Sequence, residues 1–224
     1  ADELFGGYPR YYLAEMGSKF ARWPGFAQRL GKQLLGTVPG HKAAKLQPML
    51  GRDSKSLVYR NSGFVTTSQL AGLFEVPESG CEARLDLLES IWHEECSVLD
   101  NLLVFEQATY LQPILSRQDK MSMAASIESR VPMLDNEVVD LALTIPSSQK
   151  LRRLQPKHLL KKAAARLIPL DVVYGRKQGF GVPLGAWLRR DSRLWDYTEG
   201  ILDVDWVHEG LNRKALETMV REHG

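Results

Sequence analysis

With 224 residues, 44% of them apolar and 25% charged, the chain has the size of one domain, or one domain with a small appendage, and an ordinary globular composition. A net charge of +2 excludes a global field for nucleic acid, and two cysteines make neither a disulfide framework nor a zinc site. No apolar run approaches the roughly 18 residues of a membrane span; the polar opening Ala1–Gly7 is not expected to be a secretory signal, and a reducing, cytoplasmic setting is expected.

The pattern is helical with short breaks. Residues 10–36 read as helix, interrupted near Trp23-Pro24-Gly25, while 37–65 are punctuated by Pro39, Gly40, Pro48 and Gly51 and read as less regular. Thr67 starts a short helix, and 77–80 is a loop. From Glu82 to about Leu115 the apolar residues Leu85, Leu88, Ile91, Trp92, Leu99, Leu102 and Leu103 return at spacings of three and four, a helical pattern. Asp135 is an N-cap for a helix that Pro146 stops. Pro156 suits the first turn of a helix running to Ile168, ended by Pro169; Pro183 opens a short helix, and Asn212 caps a last one. Strand signals are sparse, so the fold class is mainly α.

Charge is uneven along the chain. Residues 17–60 carry nine Lys/Arg against Asp53, residues 61–106 carry nine acids against Arg84, and residues 150–177 carry nine Lys/Arg against Asp171. For the first two blocks, solvated helix faces suffice.

Three segments carry chemistry. Asp2-Glu3-Leu4-Phe5-Gly6-Gly7-Tyr8 opens on two acids, which serve a surface turn or a helix cap, or hold Mg²⁺ against a polyphosphate, since hard oxygen ligands suit that ion. Gln118–Asp135 contains a stretch of small residues, Ser122–Ser126, suited to close helix packing, followed by Glu128 and Arg130 beside Pro132; that pair reads as an ion pair or as site residues. Tyr174–Pro183 places Lys177 just before a Gly-Phe-Gly loop, either an exposed basic loop or a mobile cation that closes over an anionic reacting group. The helix opened by Pro183 turns its positive end toward that loop.

In this order, the segments resemble the synthetase domain of the glutamine-hydrolysing asparagine synthetases. That family shows an Asp-Glu-Leu-Phe-Gly-Gly-Tyr run, a Met-Ser-Met-Ala…Glu-x-Arg-Val-Pro-x-Leu-Asp run and an Arg-Lys-x-Gly-Phe-Gly-Val-Pro run. The resemblance spans most of residues 2–190 and is weakest from about 15 to 100. It implies that residues 1–224 are a partial domain, the helical C-terminal portion of an α/β ATP-pyrophosphatase (adenine nucleotide alpha hydrolase-like) domain. The Ser-Gly-Gly-x-Asp-Ser phosphate loop and the N-terminal glutaminase domain then lie outside the chain. The implied chemistry is adenylation of the aspartate side chain by ATP with Mg²⁺, then attack by ammonia derived from glutamine. Asp2 matches the Mg²⁺–pyrophosphate ligand, with Glu3 beside it. Lys177 matches the lysine that stabilises the charged transition state. Arg117, Glu128 and Arg130 match polar nucleotide-site residues that shape the floor, and the basic block 150–177 would surround the triphosphate.

A related amide ligase, or an amidotransferase acting on surface sugars or peptides, is the alternative within the same family. A nucleic-acid-binding or tRNA-modifying module is disfavoured, because aromatic residues are not interleaved with the basic ones as stacking requires. A non-catalytic helical module is a third reading. Two structural expectations follow from the implied truncation: Asp2, near the start of the chain, should fray, and the helices should carry more apolar surface than they can cover among themselves, so that the remainder of the protein, or a homo-oligomer, covers it.

Overall fold

A computed structural model describes residues 1–36, 54–61, 67–81, 83–152, 155–176, 183–189, 193–202 and 204–223. In chain order the helices are α1 (Asp2–Phe5), α2 (Pro9–Ala21), α3 (Gly25–Gly36), α4 (Ser54–Asn61), α5 (Thr67–Phe74), α6 (Ala83–Ile91), α7 (Val98–Glu106), α8 (Gln112–Ala124), α9 (Asn136–Thr144), α10 (Ser147–Lys150), α11 (His158–Ala164), α12 (Leu170–Tyr174), α13 (Leu184–Trp187), α14 (Arg193–Leu202), α15 (Asp205–Gly210) and α16 (Arg213–His223). Among the described residues the only β pairing is an isolated bridge between Arg152 and Gln155, so the mainly α expectation holds. No described helix is long and apolar enough to cross a membrane.

Local chemistry sets the helix ends. Pro9 occupies the first turn of α2, where a missing N–H costs nothing. The Asp135 carboxylate accepts the Glu137 amide at 3.0 Å and Asn212 Oδ1 accepts the Ala215 amide at 2.8 Å, as their cap positions predict. Pro146 and Pro169 each end one segment and sit at the N-cap of the next.

Three expectations need correction. The helix read over 82–115 is broken at 92–97. There Asn101, buried in α7, turns its side chain back to accept the His93 amide and to donate to the His93 and Ser97 carbonyls, while Ser97 caps α7 through the Asp100 amide at 3.0 Å. Apolar periodicity runs through the break because α6 and α7 each bury a face, so spacing alone cannot show it. Second, a helix occupies 54–61 within the stretch read as irregular. Third, the helix expected to run to Ile168 stops at Ala164.

The chain divides into two compact units, residues 1–63 with 87–175 and residues 64–86 with 176–224. In the first, α2, α4 and α7 pack on one another. Tyr11, Val58, Leu99, Leu102, Leu103 and Phe105 are buried there, each contributing about 1.5–3 kcal/mol of apolar burial for a Val, Leu or Phe side chain. A second cluster joins Leu4 and Phe5 of α1 to Ala142 of α9, flanked by Met133, Leu134, Val138 and Leu160. In the second unit α5 packs on α16, tied by Asn212, whose amide donates to the Leu73 carbonyl at 2.7 Å and whose side chain donates to Glu75 at 2.6 Å.

Candidate functional site

The Asp-Glu-Leu-Phe-Gly-Gly-Tyr run forms one helical turn and a sharp exit. Leu4 and Phe5 point into the cluster with Ala142 and fix α1 from below. Gly6 ends the turn at φ 72°, ψ 58°, the left-handed conformation that glycine adopts at little steric cost, and the Gly7 amide donates back to the Asp2 carbonyl at 2.9 Å. Where fraying is expected, the structure places Asp2 on a helical turn with apolar anchors two and three residues along.

Asp2 and Lys157 meet here, Nζ to Oδ1 at 3.0 Å, with side chains 22% and 24% exposed. Lys157 precedes α11 with φ 52° and ψ 37°, a left-handed backbone costly for a side-chain-bearing residue and concentrated at functional sites. Gly7 makes the approach possible. A Cβ there would stand 2.7 Å from Asp2 Cγ and would collide with Asp2 Oδ1 and Lys157 Cε.

Glu3 turns the other way. It is buried and accepts the Tyr8 hydroxyl at 2.7 Å, while Gln107 Nε2 donates to its carbonyl at 3.4 Å. Burial and the Glu3 hydrogen bond push the Tyr8 hydroxyl well above the usual phenol range. Around it lies a cationic–aromatic cluster. The Arg10 guanidinium sits 4.4 Å over the Tyr8 ring and 4.5 Å over Tyr110, and Tyr8 meets Tyr110 edge-on at 5.8 Å. Glu106, fully buried, accepts Arg10 at 2.6 Å and Tyr11 at 2.7 Å. Burial alone would lower the Arg10 pKa, but the Glu106 carboxylate outweighs it and the guanidinium is held more firmly charged; burial and Glu106 together push Tyr11 far up.

The other sequence-predicted residues stand elsewhere. Arg117 is exposed on α8. Glu128 and Arg130 pair with each other at 2.9 Å on an exposed loop, side chains 70% and 82% accessible. In the small stretch Ser122–Ser126, Met123 to Ser126 are exposed in this chain. Lys177 and the Gly-Phe-Gly loop lie outside the described residues. Lys157 was hidden in the sequence as one of nine cations in its block, and Glu106 as the polar end of an otherwise apolar helix; no spacing rule marks either.

The donor set fits a metal shared with a phosphate ligand. Asp2 already holds a cation, the Lys157 ammonium, and among the described residues there is no group of three or more His, Cys, Asp or Glu that would cage an ion. Mg²⁺ characteristically takes one or two carboxylates, keeps waters and completes its shell with substrate phosphates. An open groove of about 490 Å³ in the second unit is a poorer alternative, since Asp196, Glu199 and Glu217 line it against Arg213, the single cation among its described lining residues, which Glu217 already pairs at 3.1 Å.

The asparagine synthase family model matches residues 1–224. The chain is 32% identical over 209 residues to asparagine synthetase [glutamine-hydrolyzing] 1 of Bacillus subtilis, covering 87% of this chain and 31% of that protein. It is 31% identical over 207 residues to a putative asparagine synthetase [glutamine-hydrolyzing] of Mycobacterium bovis, covering 88% of this chain and 31% of that one. Asparagine synthetase [glutamine-hydrolyzing] 3 of Bacillus subtilis is 25% identical over the whole chain. The chain thus spans about a third of the length of the curated relatives it matches. No solved structure matches it significantly.

Proposed function

The chain belongs to the asparagine synthase family, and on that premise we propose that it supplies part of the active site of an ATP-dependent carbon–nitrogen ligase that converts aspartate to asparagine. The observation that carries the reading is the Asp2–Lys157 pair, seated on the family motif with a glycine making room for it.

In this reading the acceptor carboxylate attacks the α-phosphorus of ATP, the bond to the bridging oxygen breaks, and pyrophosphate leaves. Ammonia, released from glutamine by a separate glutaminase part of the same protein, then attacks the acyl carbon; the C–O bond to AMP breaks and the amide remains. Asp2 is the residue that would hold Mg²⁺, and the ion when bound would supply charge neutralisation for the leaving pyrophosphate. Lys157, which pairs with Asp2 at 3.0 Å, would be the cation at hand for a phosphate oxygen beside that carboxylate. Lys177 supports the charge that grows in the transition state. Arg117, Glu128 and Arg130 border the nucleotide and acceptor from the α8 side. Glu3, facing inward to Tyr8, supports the turn.

The apolar surface of the first unit fits this assignment. Ile127 is 61% exposed, Leu141 62%, Leu167 84% and Val172 65%. The missing occupant we assign is the remainder of the synthetase domain, including the phosphate loop, which the relatives' greater length accommodates. The whole is a cytoplasmic enzyme in this reading.

Labelled pyrophosphate exchange into ATP tests it. The full-length protein should exchange only when aspartate is present, and Asp2→Asn should lower the rate roughly a hundredfold, the scale for losing one electrostatic partner of a developing charge. Exchange supported by another carboxylate and not by aspartate would move the protein to a different amide ligase. A wild-type rate in Asp2→Asn would remove Asp2 from the site.

A further inference from the structure

Glu106 presents a problem of energetics. Its carboxylate is fully buried and holds Arg10 and Tyr11 at 2.6 and 2.7 Å. Desolvating such a pair costs about as much as the attraction returns, and apolar residues of similar volume are often as stable or more so. Stability alone does not explain why the charge is there.

The geometry offers a reason. Immediately after Glu106 the chain opens into a π-helical turn, Gln107–Leu111, a form concentrated at functional sites. Its extra residue brings Tyr110 under the Arg10 guanidinium and edge-on to Tyr8. Gln107, at the start of the same turn, reaches the Glu3 carbonyl, and Tyr8 reaches the Glu3 carboxylate at 2.7 Å. The contacts made by Glu106 and its π turn thus end on Glu3, Tyr8, Arg10 and Tyr11, which flank the exit from the Asp2 turn and lie 95 or more positions away in sequence. Glu106 holds the guanidinium at 2.6 Å while Arg10 lies over both rings.

We propose that Glu106 is a positioning residue for the Asp2 carboxylate. Through Arg10, Tyr8 and the π turn, it locks the exit from α1 so that Asp2 faces a metal-bound pyrophosphate at the right depth. The inference rests on the ligase reading above and extends it to a residue that touches neither substrate nor metal. Outer-layer partners of this kind characteristically change metal affinity or activity by about 10–100-fold.

The test separates positioning from stability. In the full-length protein, Mn²⁺ binding in the presence of pyrophosphate is titrated by electron paramagnetic resonance, and the Mg²⁺ dependence of aspartate-dependent exchange is measured alongside. Two variants are compared: Glu106→Gln, and the triple Arg10→Met/Tyr11→Phe/Glu106→Leu, which removes the whole buried polar set and leaves no lone charge. The triple should keep a urea midpoint at or above wild type. Both should nonetheless weaken Mn²⁺–pyrophosphate binding and raise the half-saturating Mg²⁺ about tenfold or more, with maximal exchange changed less. A stable triple with wild-type metal affinity would overturn the proposal, even if Glu106→Gln failed to fold, and would reduce the network to packing. A wild-type protein that showed no aspartate-dependent exchange but whose variants still lost Mn²⁺–pyrophosphate affinity would overturn the ligase reading and leave the positioning role standing.

Discussion

Adjacent glycines at the end of α1 give a pair of substitutions that pull stability and activity apart. At Gly6 an added Cβ meets only Lys150 Cβ at 3.8 Å and Tyr11 Cδ2 at 4.0 Å, so there is room, but the backbone stands at φ 72°. Gly6→Ala therefore carries the left-handed penalty of about 1–2 kcal/mol without disturbing the ion pair. At Gly7 the backbone is ordinary, yet the Cβ would sit 2.7 Å from Asp2 Cγ and closer still to Asp2 Oδ1 and Lys157 Cε. Overpacking of this kind costs about 1–3 kcal/mol when it cannot relax. Here it relaxes by swinging a partly exposed carboxylate or lysine aside, which forfeits an ion pair worth ~1 kcal/mol or less. Gly6→Ala should thus lower the urea-unfolding free energy by about 1–2 kcal/mol, and Gly7→Ala by no more than that, ~1 kcal/mol or less. Exchange activity should diverge: a displacement near 1 Å of a positioned group costs about a hundredfold, so Gly7→Ala should lose nearly all aspartate-dependent exchange while Gly6→Ala keeps most of it. Equal activity losses that simply follow stability would refute the argument, as would a fully active Gly7→Ala.

Other outcomes follow from the same geometry. Lys157→Met should raise the half-saturating MgATP concentration in exchange assays more than it disturbs folding, because a partly exposed pair of this kind contributes ~1 kcal/mol or less to stability. Lys177→Ala should depress turnover about a hundredfold, or ~3 kcal/mol, with little change in MgATP affinity by calorimetry, since a cation aimed at developing charge acts chiefly in the transition state; Arg176→Ala is the milder control. Lys150 is buried, and burial holds its ammonium below the usual lysine range, with Asp100 pulling weakly the other way. The folded state thus binds the Lys150 proton less tightly than the unfolded state, and the native protein gains stability as pH rises from the lowered value toward 10.5. Lys150→Met should accordingly raise the urea midpoint most near neutral pH, and the advantage should shrink by pH 10; a constant difference would show that Lys150 titrates normally. Expressed alone, residues 1–224 should bind an apolar dye or self-associate through exposed apolar side chains such as Ile127, Leu141 and Leu167, and adding the rest of the synthetase domain should suppress the signal.

Much of the helical layout is legible in the sequence because it rests on local chemistry. Asp135, Asn212 and Pro9 act at the positions their side chains favour, and Leu4 and Phe5 anchor the motif turn as apolar residues on a short helix do. The break at 92–97 is not legible, since Asn101 makes it by returning eight residues along the chain to His93. The site divides the same way. Asp2 is visible as a motif acid, but its partner Lys157 lies 155 positions further on, by the numbering of the two residues, and depends on how α11 meets α1. Glu106 is less visible still, because its role comes from a buried set brought together across 95 residues or more. Glu128 and Arg130, by contrast, pair locally and on the surface, and reading them as an ion pair needs nothing beyond their spacing.

The central claim is that the acceptor carboxylate is adenylated at the site that Asp2 and Lys157 help to form. Aspartate labelled with ¹⁸O in its side-chain carboxylate tests this most directly in a single-turnover reaction of the full-length protein with ATP and glutamine. Attack of that carboxylate on the α-phosphorus transfers one labelled oxygen to the phosphate of AMP, and mass spectrometry should find it there, at wild-type extent in Gly6→Ala and greatly reduced in Asp2→Asn. Label in orthophosphate, with ADP as the nucleotide product, would contradict the account.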